Sequence, residues 1–161
     1  MAKHYNRILV PLDGSPLAEQ ALDEACRLAE LNQAKVILLN VVSPISEVIA
    51  AGTDHPIFID QQWMTQKAEV LNYLNQVSQR MTCRNIEAEC AVEMGHAAES
   101  IIDYANRHSI DLIVMATHGR TGLKRLVYGS VAEAVLHKAD VPILLVRAHP
   151  EAMPVQEGLT V

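Results

Sequence analysis

Five short apolar segments, separated by four helical patterns, constrain the fold of this chain more than any other feature. The segments have the length of β-strands and are rich in β-branched residues. They cover residues 8–12, 36–42, 86–92, 112–116 and 143–146. Between them, apolar residues recur at helical spacing, beginning with Leu17, Ala21 and Ala25 after an N-cap at Ser15 and a first-turn proline at Pro16. Alternating strands and helices predict an α/β fold with a parallel sheet and right-handed crossovers.

Charge within the apolar segments indicates the order of the strands. Glu87 and Glu89 alternate with apolar residues in the third segment, whereas the other four segments are nearly continuous in apolar residues. Strands buried on both faces have continuous apolar sequences, and charged side chains are typical of edge strands. We therefore predict a five-stranded, doubly wound sheet in the order 3-2-1-4-5, with helices on both faces.

The fifth strand is predicted to lie at the other edge, although it carries no charge that would protect an edge from pairing. Residues 142–146 read PILLV. Either the segment after Arg147 covers this edge or a second subunit does. We predict a homodimer through the strand over 141–146, because a symmetric pairing would satisfy both exposed edges.

Composition argues against several classes of function. A net charge of −6 and an aromatic content of 4% are unfavourable for nucleic-acid binding, which needs clustered cations or stacking rings. No apolar run approaches the roughly 20 residues of a membrane span, and no apolar signal core follows Met1, so we expect a cytoplasmic protein without a membrane partner. The three cysteines and seven histidines show no ligand spacing, so no metal site of protein ligands is expected.

The 161 residues fit a single domain over 1–147. A tail over 148–161 has two prolines and no periodicity, and we expect it to be poorly ordered. The longest connection covers 43–60 and would be either a lid over a ligand or a disordered insertion.

The switch point of such a sheet lies between the first and fourth strands, and ligands collect there at the carboxyl ends of the strands. Asp13 and Gly14 follow the first strand. A glycine-containing segment over 117–128 follows the fourth strand and leads to Gly129 and Ser130 at the start of the last helix. Glycine allows close approach of the backbone to a phosphate, and a helix start offers free N–H groups.

These segments resemble the universal stress protein family. The resemblance is carried by ILVPLDGS at 8–15, MATHGRTGLKRLVYGSV at 115–131 and VPILLV at 141–146, and it extends over about residues 5–147. ATP-binding members have the pattern G-x2-G-x9-G-[S/T]. The chain matches it at Gly119, Gly129 and Ser130, with Ala116 in place of the first glycine. The resemblance implies a Rossmann-like fold of the adenine nucleotide α-hydrolase type.

The resemblance also implies a ligand and its contacts. The ligand would be ATP, ADP or AMP, with Mg²⁺ held by the phosphates. Asp13 would accept hydrogen bonds from ribose or adenine, Val41 would form a wall beside adenine, and Gly129 would approach the phosphates. The implied binding residues are Pro11, Leu12, Asp13, Val41, Met115, Ala116, His118, Gly119, Arg120, Gly129, Ser130 and Val131.

Structural roles remain open for several of these residues. Asp13 could cap the turn at Gly14, and His118 could form a hydrogen bond within its loop. Ser130 and Glu133 have the spacing of a capping box. Arg120 could pair with phosphates or stay solvated, as could Lys124 and Arg125.

The resemblance implies a stress-response protein in which ATP acts as a switch or is hydrolysed very slowly. The main alternative is a dimeric scaffold that binds no nucleotide, which Ala116 would favour. We find no catalytic set, because Ser15 lacks the G-x-S-x-G context of a hydrolase. Neither the S-G-G-x-D-S motif of ATP pyrophosphatases, nor a P-loop, nor the acidic pair of a receiver domain follows the first strand.

Overall fold

The computed structural model describes residues 4–43, 56–82, 84–118 and 129–149. Its elements are β1 (Arg7–Pro11), α1 (Pro16–Glu19), α2 (Ala21–Asn32), β2 (Lys35–Val42), α3 (Pro56–Thr82), β3 (Ala88–Met94), α4 (Ala97–Arg107), β4 (Leu112–His118), α5 (Ser130–Lys138) and β5 (Ile143–Ala148). All neighbouring strands are parallel, and their order is β3-β2-β1-β4-β5. The predicted α/β fold and strand order are therefore confirmed.

The two faces of the sheet form two separate cores, because successive side chains of a strand point to opposite faces. One core contains Ile8, Val10 and Leu38 together with the apolar faces of α2 and α3. The other contains Leu9 and Leu39 together with α4 and α5. Both faces of the central strands are thus covered, as their continuous apolar sequences predict.

The first helical pattern forms two helices rather than one. Ser15 caps α1 as predicted, since its Oγ accepts a hydrogen bond of 3.2 Å from the backbone N of Ala18. α1 ends at Glu19, and α2 begins at Ala21 after Gln20. The small residues on the buried face of α2, among them Ala25 and Cys26, allow this helix to pack closely on the sheet. Cys26 is thus a small, buried residue of the core.

The connection predicted over 43–60 is shorter than expected. α3 begins at Pro56, so residues 56–60 belong to a helix. Proline is favoured in the first helical turn, but the consecutive apolar residues 57–59 lack helical spacing, which explains the error. Residues 44–55 lie outside the described residues, so neither a lid nor an insertion is tested.

The boundaries of all five strands differ from the prediction, those of β1 and β2 by one residue and those of the other three by more. β3 starts at Ala88 rather than at 86, β4 continues to His118, and β5 runs from Ile143 to Ala148, so Val141 precedes it. Thr117 of β4 pairs with Arg147 of β5, because pairing between backbones tolerates polar side chains. Ala148, which we assigned to the tail, is fully buried in β5. Residues 150–161 lie outside the described part of the chain.

The two edges of the sheet differ in charge, as the sequence predicts. At the β3 edge, Lys35 Nζ lies 2.9 Å from Glu87 Oε1 and 3.0 Å from Glu89 Oε2. These hydrogen bonds raise the pKa of Lys35. At the other edge, residues 143–146 of β5 are half-buried and uncharged. No helix within the described ranges has both the length and the apolarity to cross a membrane.

The attachment of α3 to the sheet can be tested with two leucines of opposite exposure. Leu74 is fully buried, whereas Leu31 on α2 is 75% exposed. We expect Leu74→Ala to lower the free energy of unfolding by about 3 kcal/mol, because it removes buried apolar atoms and leaves a cavity. Leu31→Ala should change it by less than about 0.5 kcal/mol. Urea denaturation measures both, and equal effects would contradict the placement of α3.

Candidate functional site

A cavity of about 330 Å³ opens at the carboxyl ends of the strands, between β1 and β4. The chain leaves β1 towards α1 and α2 on one face and leaves β4 towards α5 on the other, so the cavity lies at the switch point. The residues that line it are Pro11, Leu12, Asp13, Leu17, Ala18, Leu39, Val41, Ala97, Ile101, Met115, Ala116, Thr117, Gly129, Ser130, Val131 and Ala132.

Nine of the twelve residues implied by the resemblance line this cavity: Pro11, Leu12, Asp13, Val41, Met115, Ala116, Gly129, Ser130 and Val131. Of the other three, His118 is described only as the last residue of β4, without its side chain. Gly119 and Arg120 lie outside the described residues, together with 121–128.

The turn after β1 presents Asp13 at the cavity. The backbone N of Leu12 donates to Leu39 O at 2.8 Å, and that of Ser15 donates to Asp13 Oδ1 at 2.9 Å. Gly14 has a φ of +85°, a conformation that other residues rarely adopt. Asp13 therefore does cap this turn, as one of its two predicted roles requires. The bond occupies only one carboxylate oxygen, so it is compatible with a ligand contact.

Polar contacts position α1, which forms one wall of the cavity through Leu17 and Ala18 and has no fully buried residue. Glu19 accepts hydrogen bonds from Tyr73 at 3.0 Å and from Arg80 at 2.7 Å, both on α3. Partial burial and the bond to Glu19 raise the pKa of Tyr73.

Gln20, the residue after α1, is tied to the end of β5. Its Nε2 donates to His149 O at 2.9 Å, and its Oε1 accepts from the backbone N of His149 at 2.8 Å. The wall formed by α1 is thus attached both to α3 and to the residue that follows β5.

The other side of the cavity is formed by α4 and α5. Here the capping-box prediction for Ser130 is wrong: Gly129 is the N-cap, and no side chain caps the helix. Glu133 N donates to Gly129 O at 2.9 Å in the first helical turn, which places Ser130 one position inside the helix. The Ser130 side chain is exposed and lines the cavity.

Ala116 takes the place of the first glycine in the family pattern. It lies within β4, paired with Val146. Its φ is not positive. Its backbone thus needs no glycine, and its half-buried methyl group lines the cavity.

Seven lining residues were not predicted from the sequence: Leu17, Ala18, Leu39, Ala97, Ile101, Thr117 and Ala132. Leu39 could have been found, because it lies two positions before Val41 and shares its face of β2. Ala97 and Ile101 could not, because their position depends on how α4 packs. None of the described lining residues is Lys or Arg, and no three His, Cys, Asp or Glu residues within the described ranges could hold a metal.

The fold agrees with the comparisons with known proteins. Residues 4–147 match the universal stress protein family. The chain therefore belongs to this family.

Relatives from different organisms align with most of the chain. It is 31% identical to the universal stress protein YxiE of Bacillus subtilis over 89% of this chain and 99% of YxiE. The structure of MJ0577, a protein of Methanocaldococcus jannaschii, has a TM-score of 0.76 at 28% identity and covers 91% of this chain and 99% of MJ0577. A universal stress protein solved in complex with cAMP has a TM-score of 0.68 at 20% identity, over 91% and 100%, and shows the fold alone.

The contact between α1 and α3 predicts a specific dependence of stability on pH. The pKa of Tyr73 is raised above its ordinary value of 10.0 in the folded protein. The contribution of Tyr73 to stability is therefore complete below pH 10 and is lost at higher pH, because the Tyr73 hydroxyl ionises first in the unfolded chain. We expect Tyr73→Phe to cost about 1 kcal/mol or less at pH 7. Above pH 10 the stability of the Tyr73→Phe variant should fall less steeply than that of the wild type, because the variant has no hydroxyl to ionise at this position. Urea denaturation across this range measures both, and a constant difference would contradict the prediction.

Proposed function

We propose that the chain is a stress-response protein that binds an adenine nucleotide, ATP, ADP or AMP, which acts as a switch. The observation that carries this proposal is the cavity at the switch point, with Asp13 at the turn after β1 and the start of α5 on the same cavity. Its volume of about 330 Å³ is within the range of small-molecule sites.

The apolar part of the cavity suits a nucleobase. Leu39 and Val41 on β2, Ile101 on α4 and Met115 on β4 offer side chains without polar groups. A flat, weakly polar ring such as adenine loses little hydration there. Guanine carries a carbonyl and a ring N–H that adenine lacks, and such walls leave these groups unpaired, at a cost. Asp13 would accept hydrogen bonds from the ribose hydroxyls.

The start of α5 suits the phosphates. The first N–H groups of a helix have no partner within the helix, and the helix dipole favours an anion there. Gly129, Ser130 and Val131 are at this position and line the cavity. Since the Ser130 hydroxyl does not cap the helix, it is available to the ligand. Any Mg²⁺ would be held by the phosphates.

We also propose a homodimer through the β5 edge. Residues 143–146 are apolar, half-buried in the single chain and at the end of the sheet, so pairing with a second copy would bury them further. The cytoplasmic location stays a prediction from the sequence.

Nucleotide binding can be tested by thermal melting. ATP at 100 times its dissociation constant should stabilise the protein by about 2.7 kcal/mol, and GTP should stabilise it less. Asp13→Ala should abolish the shift, because it removes the carboxylate from the cavity. Gly129→Val should do the same by placing a branched side chain where the phosphates approach. Asp13→Asn removes the charge but retains a side-chain oxygen that can accept the hydrogen bond of the turn. Comparison with Asp13→Ala therefore separates the effect of the charge from the effect of the turn.

Asp140→Ala is the matched control, since this exposed residue precedes β5 outside the cavity. It should retain the full shift with ATP. Identical melting of the wild type with and without millimolar ATP would refute the proposal and leave the dimeric scaffold as the better description.

The dimer can be tested with a charge on the β5 edge. We expect Leu144→Glu to yield a monomer in light scattering, because a buried interface would then contain an unpaired carboxylate. Leu31→Glu on α2 should leave the dimer intact. Circular dichroism checks that both variants fold, and a folded Leu144→Glu dimer would show that another surface forms the interface.

A further inference from the structure

Two polar side chains other than tyrosine are more than nine-tenths buried in the described part of the chain. They are Asn40, with 8% exposure, and Thr117, with 7%. Both lie near the carboxyl ends of their strands, β2 and β4, beside the cavity. Thr117 lines the cavity, whereas Asn40 does not. A buried amide is costly unless it is hydrogen-bonded, so the partner of Asn40 indicates what this side chain does.

That partner is the last peptide before Asp13. Asn40 Nδ2 donates to the carbonyl oxygen of Leu12 at 2.7 Å, and the bond is buried. The backbone N of Leu12 donates to Leu39 O at 2.8 Å. Leu12 is therefore attached to β2 through both its N–H and its C=O. Because a peptide is planar, holding the Leu12 carbonyl also fixes the orientation of the Asp13 N–H and the direction in which the chain continues.

This restraint acts where the strand ends. β1 finishes at Pro11, and two residues after Leu12 the chain turns at Gly14, which has positive φ and no atom within 4 Å of the position of a Cβ. Without the bond to Asn40, the peptide between Leu12 and Asp13 would lose a buried attachment immediately before this open turn.

Asn40 does not reach the ligand space itself. Side chains alternate along β2, so Leu39 and Val41, which line the cavity, point to the face opposite Asn40. The hydrogen bond to the Leu12 carbonyl is therefore the route by which the Asn40 side chain would affect Asp13 and nucleotide binding.

We propose that Asn40 is a positioning residue that sets Asp13 for the nucleotide by holding the Leu12 carbonyl. This inference rests on the proposed function, since it assigns Asp13 a contact with the ligand. The loss of the bond frees the peptide and spreads Asp13 over several orientations, of which only one meets the ribose.

The experiment measures ATP affinity by calorimetry in a double-mutant cycle on the full chain. Asn40→Leu replaces the amide with an apolar side chain of similar size and should weaken ATP binding by about tenfold, equivalent to about 1.4 kcal/mol. In an Asp13→Asn background the same substitution should cause little further loss, because the contact through which it acts is already impaired. A purely structural effect would instead weaken binding equally in both backgrounds.

Asn32→Leu is the matched control. The Asn32 amide also donates to a backbone carbonyl, that of Leu28 at 2.9 Å, but on α2 and away from the cavity. It should leave the affinity unchanged even if it lowers stability. If Asn40→Leu fails to fold, Asn40→Asp replaces it, because this substitution keeps the shape and places a carboxylate oxygen against the Leu12 carbonyl.

The outcomes separate the two proposals. A wild type that does not bind ATP refutes the proposed function and the role of Asn40 together. A wild type that binds ATP, with equal affinity in the Asn40 variant or equal losses in the two Asp13 backgrounds, refutes only the role of Asn40.

Discussion

The structure depends on the central position of β1, which pairs with β2 on one side and with β4 on the other. Ile8, Leu9 and Val10 are fully buried and contribute alternately to the two cores, so this short strand joins both layers of helices. The chain then leaves β1 and β4 on opposite faces of the sheet. A space between the two exits follows from this topology. The cavity is therefore a consequence of the strand order as well as of the residues that line it.

Two sides of this cavity are built differently. On the side of α4 and α5, buried residues such as Ile101 and Ala132 belong to the core, so that wall is held by packing. On the side of α1, positions are set by a few polar contacts through Ser15, Glu19 and Gln20. Segments with little buried apolar surface open at lower free energy than core elements. The α1 wall is thus held by less buried apolar surface than the wall formed by α4 and α5.

The strand order could be predicted from the sequence because Glu87 and Glu89 mark one edge, and the place of the cavity followed from that order. The start of α3 was missed because three consecutive apolar residues after Pro56 hide the helical period. The N-cap at Gly129 was missed because Ser130 and Glu133 fit a capping motif in sequence, whereas the backbone places the cap one residue earlier. The contributions of α4 and α1 to the cavity depend on helix packing, which no local pattern encodes.

The paired hydrogen bonds between Gln20 and His149 join two parts of the molecule that are far apart in the sequence. One partner adjoins a wall of the cavity, and the other is where the chain leaves the sheet after β5. Both bonds use the side chain of Gln20 and the backbone of His149, so a substitution at position 20 would loosen this wall and the end of β5 together.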